Sequence, residues 1–311
     1  MNTVGGLPRT VLRVHRPALV LWGAFVAVVA GLLVRAAAIE AGRNRAELAR
    51  CAHHGDCHFT AVLSYGDTMR WTGLALCFSF CAVAAWAGAS LIARELESGT
   101  AQLAWTQSVT PVRWLTAKLA VPALALALGG AVLVPLFRWS WSNNPDRLDD
   151  GWSGFSTFVA LGPATVAYAL CALAVGALAG LLLGRALPAL GVTLAVMLLL
   201  NQILGTFRAD LWPKVTRTGV TAGGLPHRAW QLESGVLVHG HRVANPDYGY
   251  CAGTAERISR CDATHGITGR YAVYHPVSHF WPLHLVETGI VLAVAATATA
   301  TAFRLLRRRT A

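Results

Sequence analysis

The hydrophobic positions of this chain fall in six long windows separated by polar stretches. A helix needs about 20 apolar residues to cross a bilayer, and its backbone groups must be hydrogen-bonded within the segment because hydrocarbon supplies no partners. Each window meets that length, so we predict an all-α polytopic membrane protein with a single transmembrane domain over residues 1–311. The six predicted helices are residues 17–38, 72–93, 117–137, 157–184, 186–207 and 283–305.

Composition agrees with this pattern. Of the 311 residues, 55% are hydrophobic and 13% are charged, whereas a soluble domain carries roughly 25% charged residues. The shortfall excludes soluble, disordered and disulfide-only proteins. We expect the lipid bilayer as the surrounding medium and no nucleic acid as a partner.

Arginines near the two termini predict the orientation. The N-terminal tail carries Arg9, Arg13 and Arg16, and the C-terminal tail carries four arginines between residues 304 and 309. Six crossings place both tails on one side, and the positive-inside rule makes that side the cytoplasm. Arginines in the longer outer loops orient the chain only weakly. The abundance of Arg and Ala, with two lysines, is typical of a high-GC bacterial genome, so we expect a bacterial cytoplasmic membrane.

The predicted outer segments contain two pairs of cysteines. Cys51 and Cys57 lie in the first outer segment, and Cys251 and Cys261 lie in the last. Because each pair is close in sequence and faces the oxidising side, we predict two disulfides. Zinc is the alternative for the first pair, since residues 51–58 also contain three histidines. The spacing matches no common zinc pattern, and we predict no metal site.

The longest polar segment, residues 208–282, is too long to be a simple turn. It contains Gly223-Gly224 and Asn245-Pro246, dipeptides that favour turns and loops. We predict an extracellular loop domain of irregular structure between helices 5 and 6.

Two features inside the helices have structural interpretations. Gly176, Gly180 and Gly184 recur every four residues, a stripe that allows another helix to approach closely. It favours packing within the bundle, or else a subunit interface. Glu287 is the one acid within the six helices, with His284 one turn before it. Because these two residues lie near the outer end of helix 6, we expect them to form a structural pair and not a proton relay.

The connection between helices 2 and 3, residues 94–116, is much longer than the 2–8 residues that such a link requires. Apolar and small residues recur at helical spacing from Leu96 to Gln107, and Thr110-Pro111 ends that pattern. This predicts a short amphipathic helix on the cytoplasmic surface. Its two arginines are balanced by two glutamates, so its charge favours a protein partner over an anionic lipid surface.

The sequence of this connecting segment resembles bacterial ABC exporter permeases of the type-2 superfamily. The resemblance is carried by Arg-Glu-Leu-Glu-Ser-Gly-Thr at residues 94–100, by Thr-Pro-Val-Arg-Trp at residues 110–114 and by Lys118. It covers nearly the whole chain, including the amphipathic stretch at residues 10–16 and the six helices. The outer segment between helices 5 and 6 is longer than in many relatives.

The resemblance implies that the connecting segment is a coupling helix, which docks in a groove on a separate ATPase subunit. Gly99 would permit close backbone approach, and Trp105 would anchor in the groove. Glu95 and Glu97 would pair with bases on the ATPase; a solvated helix face is an equal alternative for these acids. The expected ATPase-binding residues are Arg94, Glu95, Glu97, Ser98, Gly99, Thr100, Gln102, Leu103, Trp105, Thr106 and Arg113.

The chain has no phosphate-binding P-loop of its own, because neither Lys118 nor Lys214 stands in a G-x-x-x-x-G-K-[ST] pattern. We therefore expect ATP and magnesium on the partner ATPase, no cofactor on this chain and no enzymatic activity. A second permease chain, identical or related, would complete an exporter of an unknown hydrophobic or antimicrobial compound.

Two alternatives stay open. A membrane subunit that senses or resists an antimicrobial without moving it could use the same coupling helix and outer loop. An intramembrane serine protease is more remote: it would need Ser153 to meet His279 or His284 as nucleophile and base. Ser153 lies in a polar loop outside the predicted helices, which disfavours this reading.

Overall fold

The computed structural model describes residues 6–54, 59–106, 110–143, 151–219, 225–244 and 254–310. Internal contacts divide the chain into two compact units. The helical unit comprises Met1–Asp150, Gly154–Gly205 and His284–Ala311, and the sheet unit comprises Gly151–Ser153 and Thr206–Leu283.

The helical unit consists of long apolar helices with short interruptions. Its α-helices are α1 (Gly6–Arg35), α2 (Ala41–His54), α3 (Thr60–Cys77), α4 (Ser79–Trp86), α5 (Ala93–Glu97), α6 (Thr100–Thr106), α7 (Pro111–Ser142), α8 (Phe155–Ala160), α9 (Ala164–Leu183), α10 (Ala186–Phe207) and α12 (Phe280–Thr310), the last of which starts in the sheet unit. Single π-turns join α1 to α2 (Ala36–Glu40) and α4 to the residues before α5 (Ala87–Leu91).

Within the described residues, six helical stretches are long and apolar enough to cross a membrane, which confirms the predicted number. The fifth predicted helix, residues 186–207, has the bounds of α10. The six stretches are Arg16–His53, Thr60–Glu97, Pro111–Ser142, Ala164–Leu183, Ala186–Asp210 and Val277–Arg309.

The first two predicted helices are longer in the structure than their apolar windows. The helix that begins at Gly6 continues through the π-turn to His54, so the arginines predicted in an outer loop lie on α2. The second begins at Thr60, twelve residues before the predicted start at 72. Ala, Arg, Glu and Leu favour helix whether or not they are apolar. The end of a hydrophobic window therefore marks the end of the membrane and not the end of the helix.

The third predicted helix begins earlier and the fourth is interrupted. Helix α7 starts at Pro111, and proline is favoured there because an amide hydrogen in the first turn would have no partner within the helix. The Thr110 side chain caps the helix by accepting a hydrogen bond from the Arg113 amide at 3.4 Å. The predicted helix 157–184 is divided after Ala160 and resumes at Ala164. The His284 ring occupies this break, where its Nε2 accepts a hydrogen bond from the Ala164 amide at 3.1 Å.

The sheet unit corrects the all-α prediction and the expectation of an irregular outer loop. It contains a four-stranded antiparallel sheet in the order β1-β4-β2-β3, and helix α11 (Ala255–Thr264). A two-residue turn at His239-Gly240 joins β2 to β3, with φ of 50° and 83°, the positive pair that tight hairpins require. The strands are β1 (Val215–Thr218), β2 (Trp230–Val238), β3 (His241–Ala244) and β4 (Ile267–His275).

Aromatic side chains form the core of the sheet unit. The Trp152 ring meets Trp230 edge to face with centroids 5.7 Å apart, and its Nε1 donates to the Arg228 carbonyl at 2.8 Å. At the end of β4, His275 is fully buried; its Nε2 lies 3.0 Å from the Ala209 carbonyl and its Nδ1 lies 3.0 Å from Nδ1 of His279. Burial is the main cause that lowers the pKa of His275, and the nearby His279 and Lys214 lower it further, while Ala209 and Asp210 act in the opposite sense.

This lowered pKa predicts that acid destabilises the sheet unit. Between the folded pKa of His275 and the ordinary value near 6.5, the unfolded chain binds more protons than the folded chain. The stability contributed by His275 is therefore complete above about pH 6.5 and decreases as the pH falls below it. We expect the unfolding temperature, followed by tryptophan fluorescence, to fall from pH 7 to pH 5. His275→Gln should reduce this slope, whereas the same substitution at exposed His227 should not; equal slopes in both variants would contradict the prediction.

Candidate functional site

The connecting segment between the second and third membrane helices forms two short helices, α5 and α6, around a sharp bend. Gly99 stands at the bend with φ of 73°, a left-handed conformation that glycine adopts without strain. The Ser98 and Thr100 hydroxyls lie 3.0 Å apart and both donate to the Glu95 carbonyl. The predicted continuous amphipathic helix is therefore bent at Gly99, and the glycine serves the turn itself.

Glu95 binds a lysine of its own chain. Its Oε1 forms an ion pair with Nζ of Lys118, a residue on which the family resemblance also rests. The Lys118 side chain is 5% exposed and that of Glu95 is 24% exposed, so most of this pair is shielded from solvent. The contact joins α5 to the second turn of α7. The ion pair holds the connecting segment on the bundle, and the contact of Glu95 with an ATPase stays a prediction.

Glu97 caps another membrane helix. Its Oε2 accepts a hydrogen bond from the Ala186 amide at 3.1 Å, at the first residue of α10. The amides at a helix start have no partner within the helix, and a carboxylate there is also favoured by the helix dipole. Glu95 and Glu97 thus tie the connecting segment to α7 and to α10. Sequence reasoning missed Ala186 because the cap joins positions 89 residues apart.

Trp105 packs on its own chain as well. Its ring meets that of Trp114 edge to face, with centroids 5.7 Å apart and planes at 90°. Trp114 is 5% exposed, whereas Trp105 is half-buried. The second tryptophan was not among the predicted site residues. The Thr-Pro-x-Arg-Trp motif that contains it was the available signal.

The exposed surface of the segment is polar. Of the predicted partner-binding residues, six are exposed and lie on or beside α5, α6 and the start of α7, and Gly99 is partly exposed. The side chains of Leu103 and Thr106 lie outside the described part of the chain. The six exposed residues are Arg94, Glu97, Ser98, Thr100, Gln102 and Arg113.

The glycines of helix α9 lie against the helix that leads into the connecting segment. A Cβ at Gly176 would come within 2.7 Å of the Ala87 Cβ and 2.9 Å of the Gly88 amide nitrogen. At Gly180 it would lie 3.1 Å from the Ala93 nitrogen. Gly184 instead ends α9 with φ of 61°, and open space surrounds its Cβ position.

The C-terminal tail reaches the same end of the helical unit as the connecting segment. Nη1 of Arg309 donates to the Leu181 carbonyl in the last turn of α9. Leu181 precedes Ala186, the residue capped by Glu97, by a few positions only. The connecting segment and the basic tail therefore lie at one end of the bundle, and a cation at the end of α9 is favoured by the helix dipole.

The deep polar residues of helix α12 have contacts within the helical unit. The Tyr168 hydroxyl donates to Oε1 of Glu287 at 3.0 Å, and Glu287 is fully buried. The protease alternative required His279 or His284 as a base for Ser153. His284 instead caps α9, and His279 contacts His275.

The predicted disulfides fall partly outside the described residues. Cys57 and Cys251 lie there, so the two pairings stay predictions. Cys77, Cys81 and Cys171 are the free thiols of the described part, and Cys51 and Cys261 are not among them. Over the same described residues there is no group of three or more His, Cys, Asp and Glu side chains that could hold a metal ion.

Comparison with known families decides the class of the molecule. The profile of the family described as ABC-2 membrane transporter related matches residues 22–208, more than half of the chain. The chain belongs to that family. Comparisons with curated proteins and with solved structures give no match.

The matched region of this ABC-2 family permease contains the connecting segment, Lys118, the α9 glycines and the capped start of α10. It ends at Arg208, so nearly all of the sheet unit lies beyond the family match. Membership makes the chain a multi-pass membrane component of a transporter, in a family whose membrane subunits are generally not enzymes. It also implies an ABC ATPase as the partner.

Proposed function

We propose that this ABC-2 family permease couples ATP hydrolysis on a separate ATPase subunit to the export of a hydrophobic or antimicrobial compound across a bacterial cytoplasmic membrane. The connecting segment is the coupling helix on the cytoplasmic side, with both termini on that side. A second permease chain, identical or related, completes the translocation path, and ATP and magnesium bind to the ATPase.

The observation that supports this proposal best is that two side chains, Glu95 and Glu97, each bind the connecting segment to a membrane helix. An exposed polar surface is useful as a coupling element only if a push on it moves membrane helices. Glu95 fixes the segment to Lys118 of α7, and Glu97 fixes it to the Ala186 amide of α10. Closure of the ATPase against the segment would therefore be transmitted to two helices as a rigid-body shift.

The same orientation places the sheet unit and the α2–α3 hairpin outside the cell. There the cysteine pairs Cys51–Cys57 and Cys251–Cys261 would be oxidised. The position of Arg309 beside the last turn of α9 supports a shared location for the basic tail and the coupling helix. The sheet unit, which lies beyond the family match, is our candidate for recognising the exported compound.

Exposed Arg94 provides the test of coupling. We expect Arg94→Glu to lower the stimulation of ATPase activity by the permease about tenfold, because it reverses a charge on the docking surface and leaves the ties to α7 and α10 in place. The measurement is ATP hydrolysis by the purified complex in nanodiscs. The unfolding temperature of the permease should stay unchanged, since Arg94 is exposed and its side chain forms no hydrogen bond or ion pair with the described residues.

Arg260→Glu is the matched control, because Arg260 is an equally exposed arginine on α11 of the sheet unit. It should leave ATPase stimulation intact. Equal stimulation by wild type and Arg94→Glu, with intact assembly, would contradict the docking role. Transport of a fluorescent hydrophobic compound into inverted vesicles, dependent on ATP and the partner, separates export from sensing without transport.

A further inference from the structure

A cleft lined by charged side chains lies between α2 and the start of α3 in the helical unit. Its volume is about 380 Å³, within the range of small-molecule sites. Four charged side chains of the first helix line it: Glu40, Arg43, Glu47 and Arg50. All four belong to the helical unit, and they begin at the π-turn Ala36–Glu40, a local distortion that is frequent at functional sites.

Glu40 is the most unusual of these groups. Its side chain is 7% exposed, and Oε1 binds Nη2 of Arg35 at 2.9 Å. Its second oxygen, Oε2, is enclosed and has no hydrogen-bond partner among the described residues. One helical turn further on, Asn44 is fully buried, and neither of its amide atoms has a partner there. Buried acceptors are nearly always paired with a donor in folded proteins. We therefore expect a bound ligand to supply the donor that Oε2 of Glu40 lacks.

The cleft also presents two arginines that can bind an anion. Within the described residues, neither Arg43 nor Arg50 has an ion pair, and both side chains are exposed. The second acid of the cleft is already used, because Oε2 of Glu47 accepts a hydrogen bond from the Ala61 amide at 2.7 Å. The cleft therefore has one Glu40 carboxylate oxygen without a donor and two guanidinium groups that form no ion pair with the described residues; of these groups, Arg50 donates through Nε to the Ala46 carbonyl at 3.3 Å.

We propose that this cleft binds a zwitterion that carries an ammonium group and a phosphate, as in the head group of an aminophospholipid or in free phosphoethanolamine. The ammonium donates to the Glu40 carboxylate, and the phosphate accepts from Arg43 and Arg50, since guanidinium groups bind phosphate in a forked geometry. The apolar window of this helix ends at residue 38, so Glu40 and Arg43 lie at the level where lipid head groups begin.

Binding of defined lipids to the purified full chain tests the site and needs no ATPase. Short-chain phosphatidylethanolamine would be titrated against the permease in lipid-free detergent and followed by native mass spectrometry. We expect it to bind about tenfold more tightly than short-chain phosphatidylcholine, which has no N–H donor, or phosphatidylglycerol, which has no cation. Equal affinities for the three lipids would overturn the proposal.

Variants of the cleft locate the site. Glu40→Gln and Arg43→Gln should each weaken phosphatidylethanolamine binding about tenfold. Arg43 is exposed, so its variant folds even where the Glu40 variant does not. Arg45→Gln is the matched control, because Arg45 lies on the same helix outside the cleft and its Nε donates to its own backbone at Ala41. Unchanged binding in Arg43→Gln, or an equal loss in Arg45→Gln, would overturn the assignment.

Free phosphoethanolamine distinguishes the two sources of the head group. If it displaces the lipid at millimolar excess, the cleft accepts a soluble zwitterion. If the lipid stays bound, the acyl chains are required and the ligand is a membrane lipid. Both results retain the ammonium–phosphate chemistry, and neither depends on whether the chain exports a compound.

Discussion

Replacing Glu95 by alanine is expected to destabilise the permease by about 3–5 kcal/mol, the cost of breaking a shielded ion pair by removing one partner. The reason is the burial of Lys118, which is only 4% exposed. Without Glu95, its ammonium would lose this carboxylate while staying enclosed, and Trp114, whose ring centre is 5.9 Å away, compensates only weakly. Thermal or urea unfolding in nanodiscs measures the loss.

Two further variants separate the buried pair from ordinary surface charge. Glu256→Ala removes the acid of an exposed pair with Arg260, where both side chains are more than four-fifths exposed, and should cost about 0–1 kcal/mol. The double variant Glu95→Ala with Lys118→Met should recover much of the lost stability, because it removes both charges of the pair. A Glu95→Ala variant as stable as Glu256→Ala would show that the ion pair does not hold the connecting segment on the bundle.

The same double variant distinguishes stability from coupling. It restores a folded helix bundle but not the tie between α5 and α7. If the tie transmits movement from the ATPase, ATP hydrolysis stimulated by this permease should remain reduced in the double variant. Full stimulation would mean that the Glu97 contact with α10 is sufficient for coupling.

The membrane helices could be predicted from the sequence because each apolar window has to satisfy its own backbone in hydrocarbon. Their ends could not, since apolarity reports the membrane and not the helix. Residues 41–54 are polar but rich in Ala and Arg, and they extend the first helix to His54. Pro163, which has no amide hydrogen to donate, indicates an interruption of helical hydrogen bonding just before α9. Its consequence, a break occupied by His284, depends on a residue more than 100 positions away.

The sheet unit was missed for a different reason. Glycine and proline dipeptides in residues 208–282 were read as loop signals, although His239-Gly240 closes a hairpin. The alternation of Tyr271, Val273 and their neighbours on β4 was the signal available for a strand. The polar connecting segment could be predicted as a candidate site from its length and composition, and its role in binding an ATPase stays a prediction. The partners of Glu95, Glu97 and Trp105 within the chain could not be read from it, because they are set by tertiary contacts.

Substitution of Gly176 by alanine is expected to destabilise the permease by about 1–3 kcal/mol, although alanine is the better helix former. The added Cβ would lie 2.7 Å from the Ala87 Cβ and 2.9 Å from the Gly88 amide nitrogen. Backbone cannot move aside as a flexible side chain can, so α9 would have to separate from the π-turn Ala87–Leu91. Unfolding in nanodiscs measures the change.

Gly23→Ala is the matched control, since Gly23 lies on α1 and nothing stands within 4 Å of its Cβ position. It should leave stability unchanged or raise it by up to about 1 kcal/mol. Because Gly180 packs the same helix against Ala93 at the start of α5, displacement of α9 should also shift the connecting segment and lower ATPase stimulation. If Gly176→Ala and Gly23→Ala had the same effect on unfolding, close packing of α9 against the π-turn Ala87–Leu91 would not contribute to stability. Movement of the connecting segment would then be transmitted to the bundle by the contacts of Glu95 and Glu97 alone.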